Sequence, residues 1–117
     1  MLEPSRSAPA LARRAVHEFA YQRFSQETSE TAELLTSELV TNAVTHGWGP
    51  VTVAVSGSGR QLSVAVGDAN PAPPVVRPEE LEALGGRGLR LVGSLAKAWG
   101  VTARADSAGK EIWFRLA

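Results

Sequence analysis

The chain has 117 residues, which at roughly 100–200 residues per domain is enough for one domain. Its twelve Lys and Arg residues balance twelve Asp and Glu residues, so it lacks the basic surplus of a protein that grips nucleic-acid phosphates. Cysteine is absent, excluding disulfides, thiolate nucleophiles and cysteine zinc sites. No apolar run nears the ~18 residues of a bilayer span and no basic-then-apolar signal opens the chain, so a cytoplasmic protein is expected.

Residues 1–8, with Pro4 and two serines, read as a flexible N-terminus, leaving 9–117 as a single domain. From Pro9 to about Phe24, Leu11, Ala12, Ala15, Phe19, Ala20 and Tyr21 recur at helical spacing, with the proline in the first turn. His17 on this helix reads as a surface residue. After a polar break, Thr28 or Ser29 caps a second helix running to about His46, with Glu30 and Glu33 favoured near its start. Gly47 and Gly49 end it.

The period then changes. Val51, Val53 and Val55 alternate with smaller residues, as do Leu62, Val64 and Val66, around the turn signal Ser56-Gly57-Ser58-Gly59-Arg60. Asp68 to Pro78 holds four prolines and cannot be regular, while Glu79 to Leu84 fits a single helical turn. Gly85-Gly86-Arg87-Gly88 opens a helix through Leu89, Leu91, Val92, Leu95 and Ala96 to about Trp99. Two strands, Val101 to Asp106 and Glu111 to Leu116, flank the turn Ser107 to Lys110. This order predicts an α+β two-layer sandwich, an antiparallel-rich sheet with helices on one face. Trp99 and Trp113 are expected in the core; Trp48, between two glycines, is as compatible with a partner contact as with packing.

At about 100° per residue the second helix puts Leu35, Leu39 and Ala43 on one buried stripe. Glu38, Asn42 and His46 form a second row about 60° away, on the rim of the packed face. A Glu at such a rim usually reaches water; a functional pair there needs a partner. Val64-Ala65-Val66-Gly67-Asp68 delivers a carboxylate to a strand end, where binding groups are often presented, although Asp there is also ordinary turn chemistry. The glycine loop before the last helix lets a backbone approach a ligand, and that helix offers free N–H groups to phosphates; alternatively the glycines only permit a tight entry. No Gly-Lys-Ser/Thr follows the loop, so it is not a P-loop.

Taken in order, Glu38-Leu39-Val40-Thr41-Asn42-Ala43-Val44-Thr45-His46-Gly47, Asp68-Ala69-Asn70-Pro71, Gly86-Arg87-Gly88-Leu89 and the closing Gly109-Lys110-Glu111-Ile112-Trp113-Phe114 resemble the GHKL ATPase superfamily. Within it they look most like the RsbW-like anti-sigma-factor serine kinase branch, from about residue 10 to the C-terminus. The resemblance implies a Bergerat-type ATP-binding fold, with ATP and Mg²⁺ as cofactors. It implies that Asn42 holds Mg²⁺ on the ATP phosphates and that Glu38 is the general base on the attacking hydroxyl. Asp68 would read the adenine amine, Gly86 and Gly88 would hinge a lid, and His46, Asn70, Arg87 and Leu89 would lie at the nucleotide. Arg77 and Arg90 are alternates to Arg87 as the positive charge.

The implied activity is phosphorylation of a serine or threonine on a small STAS-type anti-sigma antagonist. A sigma factor would be a further partner in transcription control by partner switching, with no nucleic acid or membrane bound directly. The alternative is a nucleotide-gated binding module without turnover; a histidine kinase would need a phospho-accepting His on paired helices. The chain departs from the pattern at Asn70, where relatives have Gly, and at Glu111, where they commonly have Thr. The stretch before the first helix is brief for the strand that many relatives use to form a homodimer.

Overall fold

The computed structural model describes residues 2–70, 87–104 and 109–117. Its elements are α1 (Ala8–Ala20), α2 (Gln26–His46), β1 (Thr52–Ser58), β2 (Gln61–Asp68), α3 (Arg87–Leu95), β3 (Ala98–Ala103) and β4 (Lys110–Leu116). The strands form one antiparallel sheet in the order β1-β2-β4-β3, so the chain leaves β2, returns through α3 to the far edge, and closes by placing β4 in the middle. This is the two-layer α+β arrangement expected from the order of elements. Residues 71–78 of the expected irregular segment, the helical turn 79–84 and residues 107–108 of the expected turn lie outside the described residues, as do Arg77 and Gly86.

Period-two alternation decides which face of the sheet is covered. Leu62, Val64 and Val66 of β2 and Ile112, Phe114 and Leu116 of β4 are all buried, and register pairs them row by row. From the helical side Leu35, Leu39 and Ala43 of α2 are buried as the wheel predicts. The opposite face carries Ala54, Ala65, Trp113 and Gly100 in one cross-strand row. The Trp113 ring lies flat over Gly100, where a Cβ would sit 2.8 Å from it, and the Arg115 guanidinium covers that ring at 5.1 Å. Trp113 is therefore half-buried on the outer face, not in the core.

Several local readings are corrected. α1 buries Ala8, Ala12, Val16 and Ala20, a stripe of small residues that lets it lie close on α2, and this turns Leu11 and Tyr21 out to solvent. α1 ends at Ala20; Phe19 in its last turn and Phe24 in the turn behind it both lie against Gly57 of β1. α2 is capped by Ser25, whose Oγ accepts from Thr28 N at 3.1 Å, three residues before the earliest Thr28 or Ser29 alternative. The strands of the hairpin extend to Ser58 and from Gln61, because Gly59 adopts φ +61° and closes a two-residue turn. α3 stops at Leu95, and Trp99 lies in edge strand β3, 38% exposed, with its indole against Gly93 of α3. Leu2 exchanges both backbone hydrogen bonds with Val51, adding a single bridge ahead of β1. No helix among the described residues is long and apolar enough to cross a membrane.

Thr36, in α2, is fully buried and its Oγ1 has no hydrogen-bond partner among the described residues. Leaving a hydroxyl so placed costs stability, so Thr36→Val is expected to stabilise the domain by about 1 kcal/mol and raise Tm by roughly 3–5 °C. A urea midpoint unchanged or lowered in the variant would contradict this.

Candidate functional site

Rows that are apolar along most of β2 and β4 end in charge. Asp68 continues the inward-facing series Leu62, Val64 and Val66, and Lys110 begins the series Ile112, Phe114 and Leu116; the two sit directly opposite each other. Both are buried. Lys110 Nζ lies 3.1 Å from Asp68 Oδ1 and 3.2 Å from Oδ2, and donates also to the Asn70 carbonyl at 3.1 Å. Asn70 N donates to Asp68 Oδ1 at 2.7 Å.

The C-terminal end of α2 closes onto this pair. Gly47 caps the helix, and a Cβ there would stand 2.5 Å from the Ala43 carbonyl oxygen and 2.8 Å from Asp68 Cγ, so no side chain fits. Gly109 approaches from β4, and a Cβ there would collide with the Asp68 backbone. Two further bonds tie the loops together: Ala69 N donates to the Trp48 carbonyl at 2.9 Å and Asn70 Nδ2 to the His46 carbonyl at 3.3 Å. A helix C-terminus carries partial negative charge, which disfavours a nearby carboxylate; the Lys110 ammonium offsets it.

Glu38 and Asn42 lie one turn apart on α2, both half-buried, and His46 is exposed one turn further on at the helix end. Asn42 Oδ1 is buried and accepts no hydrogen bond among the described residues. A buried amide oxygen without a donor is uncommon, since such groups are nearly always paired. It suits a hard cation, and Mg²⁺ takes oxygen ligands and needs little more from a protein when phosphates supply the rest. The residues present therefore fit the expected metal. Among the described residues no group of three or more His, Asp or Glu side chains could hold a metal by itself.

α3 packs on α2, with Arg87 its first residue, Gly88 inside its first turn and Leu89 buried in the core. Asn70, which stands where the family pattern has Gly, does not adopt the left-handed conformation; Ala117 is the one non-glycine residue with positive φ among those described. The turn is held instead by the Asp68 and His46 contacts of Asn70. Glu111 lies on the sheet face away from α2, in the row of Thr52, Gly67 and Thr102, and the position that touches Asp68 belongs to Lys110. Lys110 was not among the expected site residues. The alternation of Ile112, Phe114 and Leu116, extended back by two, was the signal for it.

Elsewhere, His17 is exposed, stacked on Tyr21 and bonded through Nδ1 to Glu33 Oε2 at 3.0 Å. A shallow groove of about 310 Å³ on the outer sheet face is lined by Ala54, Ser56, Ser63, Ala65, Trp113 and Arg115, with none of the chemistry gathered on the other face.

Residues 3–116 match the family model of the histidine kinase-like ATPase domain. Among solved structures, the histidine kinase domain of the blue-light activated histidine kinase of Erythrobacter litoralis EL346 is similar, with a TM-score of 0.53 and 31% identity. The likeness covers 77% of this chain but 44% of that one, so the chain spans less than half the length of this neighbour. No curated protein matches the chain.

Proposed function

The chain belongs to the histidine kinase-like ATPase family, and from that premise we propose that it is an ATP-dependent serine/threonine protein kinase of the anti-sigma type. It acts in the cytoplasm on a small antagonist protein and controls transcription by exchanging that partner for a sigma factor. The observation that carries this reading is the buried Asn42 Oδ1, without a hydrogen-bond partner among the described residues, one helical turn from the half-buried Glu38.

Asp68 accepts the exocyclic amine of adenine at the closed end of the site. Asn42 Oδ1 would hold Mg²⁺, which when bound neutralises phosphate charge. Glu38, on the same row of α2 and one turn from Asn42, lies on the phosphate side. There its carboxylate orients the substrate hydroxyl and takes its proton. The hydroxyl oxygen bonds to the γ-phosphorus as the bond to the bridging oxygen breaks, and ADP leaves. Little else is asked of the protein, because phosphoryl transfer depends chiefly on positioning and on charge stabilisation.

Incubation with γ-labelled ATP, Mg²⁺ and antagonist domains from the same genome tests the reading. Label is expected on a partner serine or threonine. Saturable ATP binding without label on any antagonist would instead establish a nucleotide-gated module without turnover.

A further inference from the structure

The contacts of Asp68 and Lys110 can be counted against what each group is able to make. An ammonium has three N–H donors, and Lys110 spends them on Asp68 Oδ1, Asp68 Oδ2 and the Asn70 carbonyl. None is left for a ligand. A carboxylate offers about four lone-pair sites, two on each oxygen. Among the described residues, Asp68 Oδ1 takes Asn70 N and Lys110, while Oδ2 takes Lys110 alone. One acceptor site remains, and it is on Oδ2, the oxygen that faces Gly47. The surroundings hold this state: the Asp68 side chain is 7% exposed and the Lys110 side chain 11%, so water cannot readily take over either role.

We infer that Lys110 is a positioning residue that turns Asp68 into a reader of a single N–H donor, and so sets the site's choice of purine. The inference rests on the nucleotide reading above and deepens it. Adenine presents one amine edge, which a single free site on Oδ2 satisfies. Guanine would be held by a carboxylate through two donors, N1–H and the 2-amino group, bridging both oxygens. Oδ1 is already saturated, so that second bond is unavailable, and in the adenine position the guanine O6 would face Oδ2 acceptor to acceptor. A site that leaves polar groups of the wrong ligand unpaired rejects it strongly.

The test compares Mg²⁺ complexes of ADP, GDP and IDP by calorimetry or competition. IDP keeps the guanine O6 and N1–H but lacks the 2-amino group. In the unaltered chain ADP binds best, and GDP and IDP bind equally within about twofold, because the extra amine finds no acceptor. In Lys110→Met, Oδ1 regains a free site, so GDP is expected to exceed IDP by about tenfold or more and the preference for ADP over GDP to shrink by a similar factor. A merely structural lysine would weaken all three nucleotides together and leave these ratios alone. GDP exceeding IDP by about tenfold in the unaltered chain would overturn the inference without any variant, should Lys110→Met fail to fold. Unchanged ratios in a folded Lys110→Met would also overturn it while leaving the nucleotide reading intact. Absence of ADP binding to the unaltered chain would overturn that reading and the inference with it.

Discussion

Asp68→Ala is expected to cost the domain about 3–5 kcal/mol, a large share of the 5–15 kcal/mol that typically separates folded from unfolded chains. The loss does not come from the pair's attraction alone. Removing the carboxylate leaves the Lys110 ammonium buried with the Asn70 carbonyl as its remaining acceptor, and leaves Asn70 N without its 2.7 Å partner. It also leaves a gap against Gly47, whose missing side chain fits it to this carboxylate. A buried pair is costly to break but often not costly to replace. The double substitution Asp68→Leu with Lys110→Met should therefore recover most of the stability that Asp68→Ala loses. Urea unfolding of the single and double variants checks both statements. A single-variant loss below about 1 kcal/mol would mean that the pair behaves as a solvated surface contact.

Glu38→Gln is expected to lower phosphotransfer by about 10²–10⁴-fold, the range set by removing a general base. Its effect on Mg-ADP affinity should stay within about threefold, because the amide keeps the size and polarity of the side chain and the proposed metal ligand is Asn42. Single-turnover transfer from labelled ATP separates the two quantities. Transfer at the unaltered rate would remove Glu38 from the chemistry, and parallel loss of binding and transfer would make it a structural residue.

Much of the architecture could be read from periodicity, since burial enforces it. Two alternating runs around a glycine turn gave the β1–β2 hairpin, and the stripe Leu35, Leu39 and Ala43 gave the inward face of α2. On the first helix, apolar spacing groups Leu11, Ala15, Phe19 and Tyr21 with Ala12 and Ala20, and of these six the structure buries Ala12 and Ala20 alone. Close packing on α2 instead selects Ala8, Ala12, Val16 and Ala20. The apolar spacing from Leu89 to Ala96 extends the expected helix to about Trp99, whereas β3 pairs Trp99 with Phe114 and leaves it at an edge.

For the candidate site, motif order singles out Glu38, Asn42 and Asp68 as expectations, but not the residue that pairs with Asp68. Lys110 follows a glycine and resembles turn text, and its role appears only when β4 is registered against β2. Asn70 and Glu111 were marked as departures on chain position alone. In three dimensions Asn70 is a hydrogen-bonding staple between two loops, and Glu111 points away from the α2 side of the sheet. Long-range pairing decided all three, and local sequence carries little of it.

The most direct trial of the whole account is titration calorimetry of Mg-ADP into the unaltered chain and into Asn42→Ala. Saturable uptake of one nucleotide per chain is expected, lost or severely weakened when the buried amide oxygen of Asn42 is removed. No heat of binding at millimolar nucleotide, or equal affinity in the two chains, would contradict it.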